Sequence, residues 1–449
     1  MSNTMRHCKL VLIALSRIVV AGIFWVAVRL FYSIEIRGSR HAKARYPIYF
    51  AIQHKRDLDP IVELPSVLFR CGWQALCGRV HFALGGEAFL PGFLARIVRR
   101  PRWFARLVGL IPLGEILRGL GAQPLDNVYI RPAEVWIHEW LNLRGNAPAV
   151  EVLSLNFLTF VAVQSHEEIS KVRMLSLKDL LAWRYRDALH RWQSVDIFVE
   201  PARQVLKREM LQRMKRQIQD LLAWLEQGGA LLGAPEGQLS PDGRISLAVA
   251  AIHRLLREWP ERTAIVPISI SYDFMTTRRQ RIFVSLAAPL YKDPAISIKQ
   301  LETQLHDTWL LHSCFTCTQL ASGFLVEQSR SVETLFTVGE LAEYVWRRAR
   351  ELEQQGRYVD RRLLSARRAR KLAQGFLDFA QTWGFVRKEG EALWSARADN
   401  LVMEVPPGEV GYRINPLAYA YNELQDMLGG QGEQAPSGKA VRRARRLQA

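Results

Sequence analysis

Three short stretches of this chain are apolar at nearly every position rather than at alternate ones: residues 46–53 (Tyr-Pro-Ile-Tyr-Phe-Ala-Ile-Gln), 230–234 and 264–272. A strand with one wet face alternates apolar with polar; a strand covered on both faces need not. Residues 281–287 read as a further strand. Between these runs the apolar spacing changes to that of helices, as in 208–227, which stops at Gly228-Gly229. After 46–53, Pro60 sits where a first helical turn would begin and 61–69 continues in a helical pattern. Buried strands alternating with helices predict an α/β domain with a parallel sheet over residues 32–295.

At 449 residues the chain exceeds one ordinary domain. Its amino terminus, 10–31, is an apolar run carrying Arg17 and Arg29. No small-residue cleavage site follows, and Ile34-Glu35-Ile36-Arg37-Gly38 reads as a strand, so a removable signal peptide is not expected. A spanning helix needs about twenty apolar residues, and a mid-run arginine costs a few kcal/mol on insertion. Residues 1–31 therefore predict a membrane-associated helix at the cytoplasmic face of a membrane, monotopic or single-pass, with Arg17 snorkelling. A buried core helix is the alternative.

Within the α/β domain, 128–205 reads as an insertion, with an apolar stretch at 150–163 and a Trp-containing helical stretch at 177–192. Residues 296–428 predict a mostly helical, basic carboxyl-terminal domain, and 429–449 a disordered basic tail. Residues 347–371 hold ten Arg or Lys against three acids, read as one basic helix, and 335–394 fits a winged helix. The formal net charge of +18 calls for an acidic partner, either an anionic membrane surface or a nucleic acid. Five cysteines are too few, and odd in number, for a disulfide framework. Cys314 and Cys317 form a CxxC with no second pair at metal spacing, so they read as two small apolar residues one helical turn apart.

The residues that can carry chemistry lie at strand ends. His54 and Asp59 follow the strand 46–53, where α/β sheets place their ligands and catalytic groups. Imidazole, with a pKa near working pH, is the usual base for making a hydroxyl nucleophilic. A carboxylate on its other ring nitrogen would fix the tautomer. Pro235-Glu236-Gly237-Gln238-Leu239-Ser240 follows the strand 230–234, and a carboxylate before glycine there suits a substrate hydroxyl approached by backbone. No GxSxG elbow appears, so a serine-hydrolase mechanism lacks its nucleophile.

In this order the residues resemble the glycerolipid acyltransferase family, also called the lysophospholipid acyltransferase superfamily. Gln53-His54-Lys55-Arg56-Asp57-Leu58-Asp59 is similar to its first block, NHxxxxD or HRSxxD, and residues 120–127 to the second. Residues 234–240 are similar to the third, FPEGTRS, and Val266-Pro267-Ile268-Ser269-Ile270 to the fourth. The resemblance implies an αβ acyltransferase domain with the HxxxxD at the mouth of an acyl tunnel. It implies His54 and Asp59 as catalytic residues, and Glu236, Gly237, Gln238, Ser240, Asn127 and Pro267 as substrate-binding ones. It implies acyl-CoA or acyl-carrier protein as co-substrate, with neither cofactor nor metal. The acceptor would be glycerol 3-phosphate, lysophosphatidate or another lysolipid. Gly384-Phe385-Val386-Arg387 and residues 415–422 look like the helical tail of glycerol-3-phosphate acyltransferases.

Asn127 and Leu239 depart from the pattern, since members that act on phosphorylated acceptors carry Arg in those blocks. Arg118, Arg131 and Arg244 are candidates to supply that charge from elsewhere; without it the expected acceptor is a lysolipid or alcohol that lacks a terminal phosphate. The basic-aromatic stretch 89–111 suits anionic headgroups. With an acyltransferase as the leading reading, nucleic acid is not an expected partner. The alternative is a non-catalytic basic protein, binding nucleic acid or membrane on a degenerate acyltransferase scaffold.

Overall fold

The apolar runs form the middle of one sheet. The computed structural model describes residues 3–43, 47–56, 59, 62, 65, 67, 69, 80–90, 92–93, 102–119, 121–126, 130–236, 240, 242–245, 258, 263–291, 296–328, 335–396 and 416–429. Among the described residues, eight strands build the sheet: β1 (Tyr32–Arg37), β2 (Ile48–Ile52), β3 (Val80–Gly85), β4 (Ala122–Leu125), β5 (Ala230–Gly233), β6 (Ala264–Asp273), β7 (Gln280–Leu286) and β8 (Leu290–Tyr291). Their order is β1-β7-β6-β2-β5-β3-β4, with β8 added beside β6. Strands β6, β2, β5, β3 and β4 are mutually parallel. The chain reverses at one side, where β7 and β8 run antiparallel to β6 and β1 is parallel to β7. Every residue of β2, β5 and β6 is buried, as continuous apolar runs require.

Helices cover both faces. On one lies α1 (Asn3–Phe31); the chain later forms α2 (Arg102–Gly109) and α3 (Leu113–Gly119), of which α3 packs beside β4. Ala14, Arg17, Ala21 and Val28 of α1 recur at helical spacing and are buried, whereas Val11, Leu15, Ile18, Val19, Ile23, Val26, Leu30 and Phe31 are exposed. Ala14–Phe31 is long and apolar enough to cross a membrane. The expected snorkelling of Arg17 is corrected: its side chain is 1% exposed, packed over Gly121, where a Cβ would lie 2.1 Å from its Nη2. The helix is thus bound to the protein along the stripe that carries its one mid-run charge.

Residues 130–226 contribute α4 (Ala133–Arg144), α5 (Leu155–Ser165) and the first half of α6 (Ala202–Glu226), which pack around Trp136, Leu158, Tyr185, Phe198 and Leu206. Helix α6 starts six residues before the expected 208. The stretch 177–192 is not one helix but the short turns Leu177–Leu180, Trp183–Tyr185 and Arg186–Leu189, followed by the ribbon strand Trp192–Ser194, which pairs with Ile130–Pro132. Ser176 and Asp179 make a capping box that starts the first of these turns. The carboxyl half of α6 packs with α7 (Ile298–His312) on the second sheet face, around Tyr49, Leu221, Leu225 and Trp309.

The carboxyl-terminal region runs α8 (Cys317–Gln328), β9 (Leu335–Thr337), α9 (Val338–Gln354), α10 (Ala366–Thr382), β10 (Val386–Lys388), β11 (Leu393–Ala396) and α11 (Pro416–Met427). The small sheet is ordered β9-β11-β10, the helix and strand order of a winged helix. The basic stretch 347–371 is two helices rather than one, broken at Gln355-Gly356 where φ of Gly356 is +74°. The connection between them is buried on the main sheet: Arg281 pairs with Asp360 at 2.6 Å and Arg362 with Asp273 at 2.8 Å. Gly375 of α10 lies against the β6–β7 turn, where a Cβ would stand 2.0 Å from the Thr276 carbonyl oxygen. One apolar core therefore runs from α1 through the sheet to α11.

The CxxC reading needs the same kind of correction. Cys314 precedes α8 and Cys317 opens it, so the pair is not one turn apart within a helix. Both thiols are free and buried, and burial pushes both well above the usual thiol range.

Candidate active site

Strands β2 and β5 are in register, Ala51 beside Gly233, so the residues that leave their carboxyl ends arrive side by side. His54 and Glu236 meet there. The His54 backbone N–H donates to Glu236 Oε2 at 2.6 Å, and the Ser240 N–H donates to the His54 carbonyl at 3.3 Å. The loop after β2 and the turn after β5 are thus joined by two hydrogen bonds, one donated and one accepted by the His54 backbone.

After His54 the chain turns tightly, the Asp59 N–H donating to the Arg56 carbonyl at 3.0 Å. This brings Asp59 back under the imidazole, with His54 Nδ1 3.2 Å from Asp59 Oδ2. The Lys55 and Arg56 backbone N–H groups donate to the same oxygen at 2.6 and 2.7 Å, and the Tyr272 hydroxyl donates to Oδ1. Four donors therefore converge on one buried carboxylate. A carboxylate only accepts, so Nδ1 carries a proton in this pairing. The Asp59 side chain is 1% exposed and that of His54 23%, so the acceptor is sealed in while the ring edge reaches solvent.

Glu236 is buried, and burial pushes its carboxyl up to about 8, against the opposing pull of the His54 N–H and the Lys55 charge. Its hydrogen bond to His54 N–H survives protonation, because a carboxylic acid keeps an acceptor oxygen. His81, on the neighbouring β3, is stacked on Trp224 with centroids 3.9 Å apart. Burial and the nearby Arg17 charge lower it to about 4, which leaves it neutral and unsuited to the role of His54.

The other expected site residues divide. Ser240 is buried; its hydroxyl donates to the Arg244 carbonyl at 2.7 Å and accepts from the Gly243 N–H at 3.0 Å, which shapes the turn after Glu236. Pro267 is buried within β6, paired with Ala51, at a level three residues before His54. Asn127, Gly237, Gln238 and Leu239 lie outside the described residues, as do most of 61–69 and the basic Arg99 and Arg100 of the stretch 89–111.

Arg131 is no substitute for the missing motif arginines. It is 1% exposed, paired with Asp126 and, at 3.6 Å, with Glu139, while Arg213 spans the same two carboxylates at 2.6 and 2.7 Å. This cluster ties the end of β4 to α4 and α6. Arg118 is exposed beside Glu115 at 2.6 Å, and Arg244 lies 3.8 Å from Asp242. Arg56, inside the HxxxxD loop, has its guanidinium 4.3 and 4.2 Å from the ring centres of Tyr272 and Phe274.

Tyr272 was not singled out by sequence. Its signal was available: Ile268, Ile270 and Tyr272 alternate along β6, so the residue two beyond the level of His54 faces the same side.

No family model matches this chain, and no curated protein matches it. Among solved structures it is similar to the 1-acyl-sn-glycerophosphate (LPA) acyltransferase PlsC of Thermotoga maritima, with a TM-score of 0.33 and 11% identity over 65% of this chain and 76% of that one. A likeness at that level carries no chemistry with it, so any assignment rests on the residues described above.

Proposed function

We propose that this protein is a membrane-surface O-acyltransferase that moves a fatty acyl group from a thioester to the hydroxyl of a glycerolipid-type acceptor. The observation that carries the reading is the partly exposed His54 ring held through Nδ1 by a sealed Asp59, beside Glu236, at the carboxyl ends of parallel strands. His54 Nε2 takes the proton of the acceptor hydroxyl as its oxygen attacks the thioester carbonyl. Asp59 stabilises the imidazolium that results. The tetrahedral intermediate collapses with loss of the thiolate, which recovers the proton from His54, and the ester is released. Glu236 fixes the His54 backbone and holds the turn that would receive the acceptor. The donor is acyl-CoA or acyl-carrier protein.

The membrane reading has support in the surface; that the membrane face is the cytoplasmic one belongs to the proposal alone. The exposed stripe of α1 and the exposed Trp103, Leu107 and Leu110 around α2 form apolar surface of the kind that soluble proteins rarely leave in water. Labelled acyl thioester and a panel of phosphorylated and unphosphorylated acceptors, incubated with membranes carrying the chain, test the reading. Ester formation should fall by roughly 10²–10⁴-fold in His54→Ala with membrane binding retained. Equal product from both proteins would refute it.

One observation favours a second reading, a basic nucleic-acid binder: the winged-helix order of α8 to β11, with Arg367, Arg368, Arg370 and Lys371 exposed at the start of α10. Against it stand Asp378 on the same helix, Glu389 and Glu391 on the β10–β11 turn, and the burial of the α9–α10 connection on the main sheet. Salt-sensitive retention of a DNA duplex, undiminished in His54→Ala, would favour this reading.

A further inference from the structure

The active-site loop is gripped by a helix that lies more than 350 residues away in sequence. Lys55, next to His54, is 3% exposed, and its ammonium pairs with Glu423 of α11, also buried. The Lys55 carbonyl accepts from the Tyr419 hydroxyl at 3.2 Å, and the Lys55 N–H donates to Asp59 Oδ2 at 2.6 Å. Every polar group of this residue is committed, one to the carboxylate beneath His54 and two to α11. Tyr419 and Glu423 are four residues apart and share one stripe of the helix.

The adjoining stripe reads the other loop. Asn422 Nδ2 donates to the Asp242 carbonyl at 2.9 Å, and Asp426 Oδ2 accepts from the Ile245 N–H at 2.8 Å. Between them Gly243 has φ +88° and lies so close that a Cβ would stand 2.2 Å from the Tyr419 carbonyl oxygen. Helix α11 therefore touches both segments that frame the imidazole, and it is seated in turn against Gly323 of α8, whose Cβ would stand 2.6 Å from Leu424 Cδ2.

We infer that α11 is a wall of the active site, and that Glu423 and Tyr419 are positioning residues that hold His54 in register with Asp59 through Lys55. This inference rests on the proposed acyl transfer for its kinetic readout, but not for its spectroscopic one. A buried ammonium needs its partner, whereas an apolar pair of similar volume can replace an ion pair without unfolding a protein. That difference separates holding the loop from holding the fold.

The experiment uses the full chain in detergent or vesicles, with Tyr419→Phe, Glu423→Gln and the double substitution Lys55→Met with Glu423→Met. Tyr419→Phe should lower kcat about tenfold, the loss of one hydrogen bond, with KM for the thioester unchanged. Glu423→Gln should lower kcat by about 10²-fold, the cost of a displaced catalytic group. The double variant should regain the wild-type melting temperature while kcat stays low. ¹⁵N spectra of histidine-labelled protein, with His54 assigned by its loss in His54→Ala, should show the Nδ1–H tautomer in the wild type and mixed tautomers in all three variants. Recovery of both melting temperature and kcat in the double variant, or an unchanged His54 tautomer throughout, would overturn the inference. If the wild type transfers no acyl group, the proposed function fails, and the tautomer measurement still decides whether α11 positions His54.

Discussion

Two clusters of buried carboxylates sit on the same sheet and are built on opposite principles. Around Asp59, the donors are backbone N–H groups, a phenol and an imidazole, and the neighbouring acid, Glu236, is pushed up to about 8 by burial. Around Asp273 and Asp360, at the same end of β6 but one residue on from Tyr272, the partners are guanidinium groups, with Arg362 spanning both acids at 2.8 Å and Arg281 joining Asp360 to Glu35. Arginine does not titrate in the working range and its fork matches a carboxylate, so the second cluster is electrostatically closed. The first keeps one titratable ring with an exposed edge. Burial of acids alone does not mark a functional site; a buried acid whose partner can still exchange a proton does.

The largest effect that would break this contrast is at Asp59. Asp59→Asn turns an acceptor towards Nδ1 into a group that can also donate, favouring the wrong tautomer, and kcat should fall roughly 10⁴-fold with little change in melting temperature. A loss of only a few-fold, measured with labelled thioester, would place Asp59 in the structural class. Arg362→Met should do the reverse. It leaves Asp273 and Asp360 without their shared cation, and chemical denaturation should show a loss of about 3–5 kcal/mol, while kcat per folded molecule holds within a few-fold. Asp273 already lies above the usual carboxylate range through burial, against the pull of Arg362, so removing that pull raises it further.

A third effect concerns Glu236 and sharpens the comparison by its sign. Its folded pKa, about 8, lies above the ordinary 4.5, so the native state binds more protons in between. Its contribution is fully present below about 4.5 and is lost as pH rises through about 8. Unfolding free energy should therefore decline across that window in the wild type and decline less in Glu236→Gln. An unchanged slope would show that Glu236 is not held protonated by its surroundings.

Much of this arrangement was legible from residue order. Continuous apolar runs gave β2, β5 and β6, and the residues immediately after two of them, His54 and Glu236, were marked by position at strand ends. What stayed hidden was pairing across distance. Nothing in the spacing of 416–427 says that Glu423 meets Lys55, since a helical stripe shows which residues share a face and not what that face touches. Arg131 likewise looked available to a phosphate, because sequence does not show that Asp126 and Glu139 fold back onto it. The break inside 347–371 and the fragmentation of 177–192 were missed because composition was read as continuity, where Gly356 ends the first helix and 177–192 stops at the turns after Leu180 and Leu189.

The buried Arg17 of α1 has a bearing on how this protein can be handled. Its guanidinium rests over Gly121, next to the first residue of β4, and its charge is felt by His81 on β3. Trimming the amino terminus to obtain a detergent-free version would take Ala21 and Val28 out of the core and empty the space over Gly121. The greasy side of α1 and the strands beneath it come as one piece, so solubility is better sought by recolouring Leu15, Val19, Val26 and Leu30 with polar residues than by cutting the helix away.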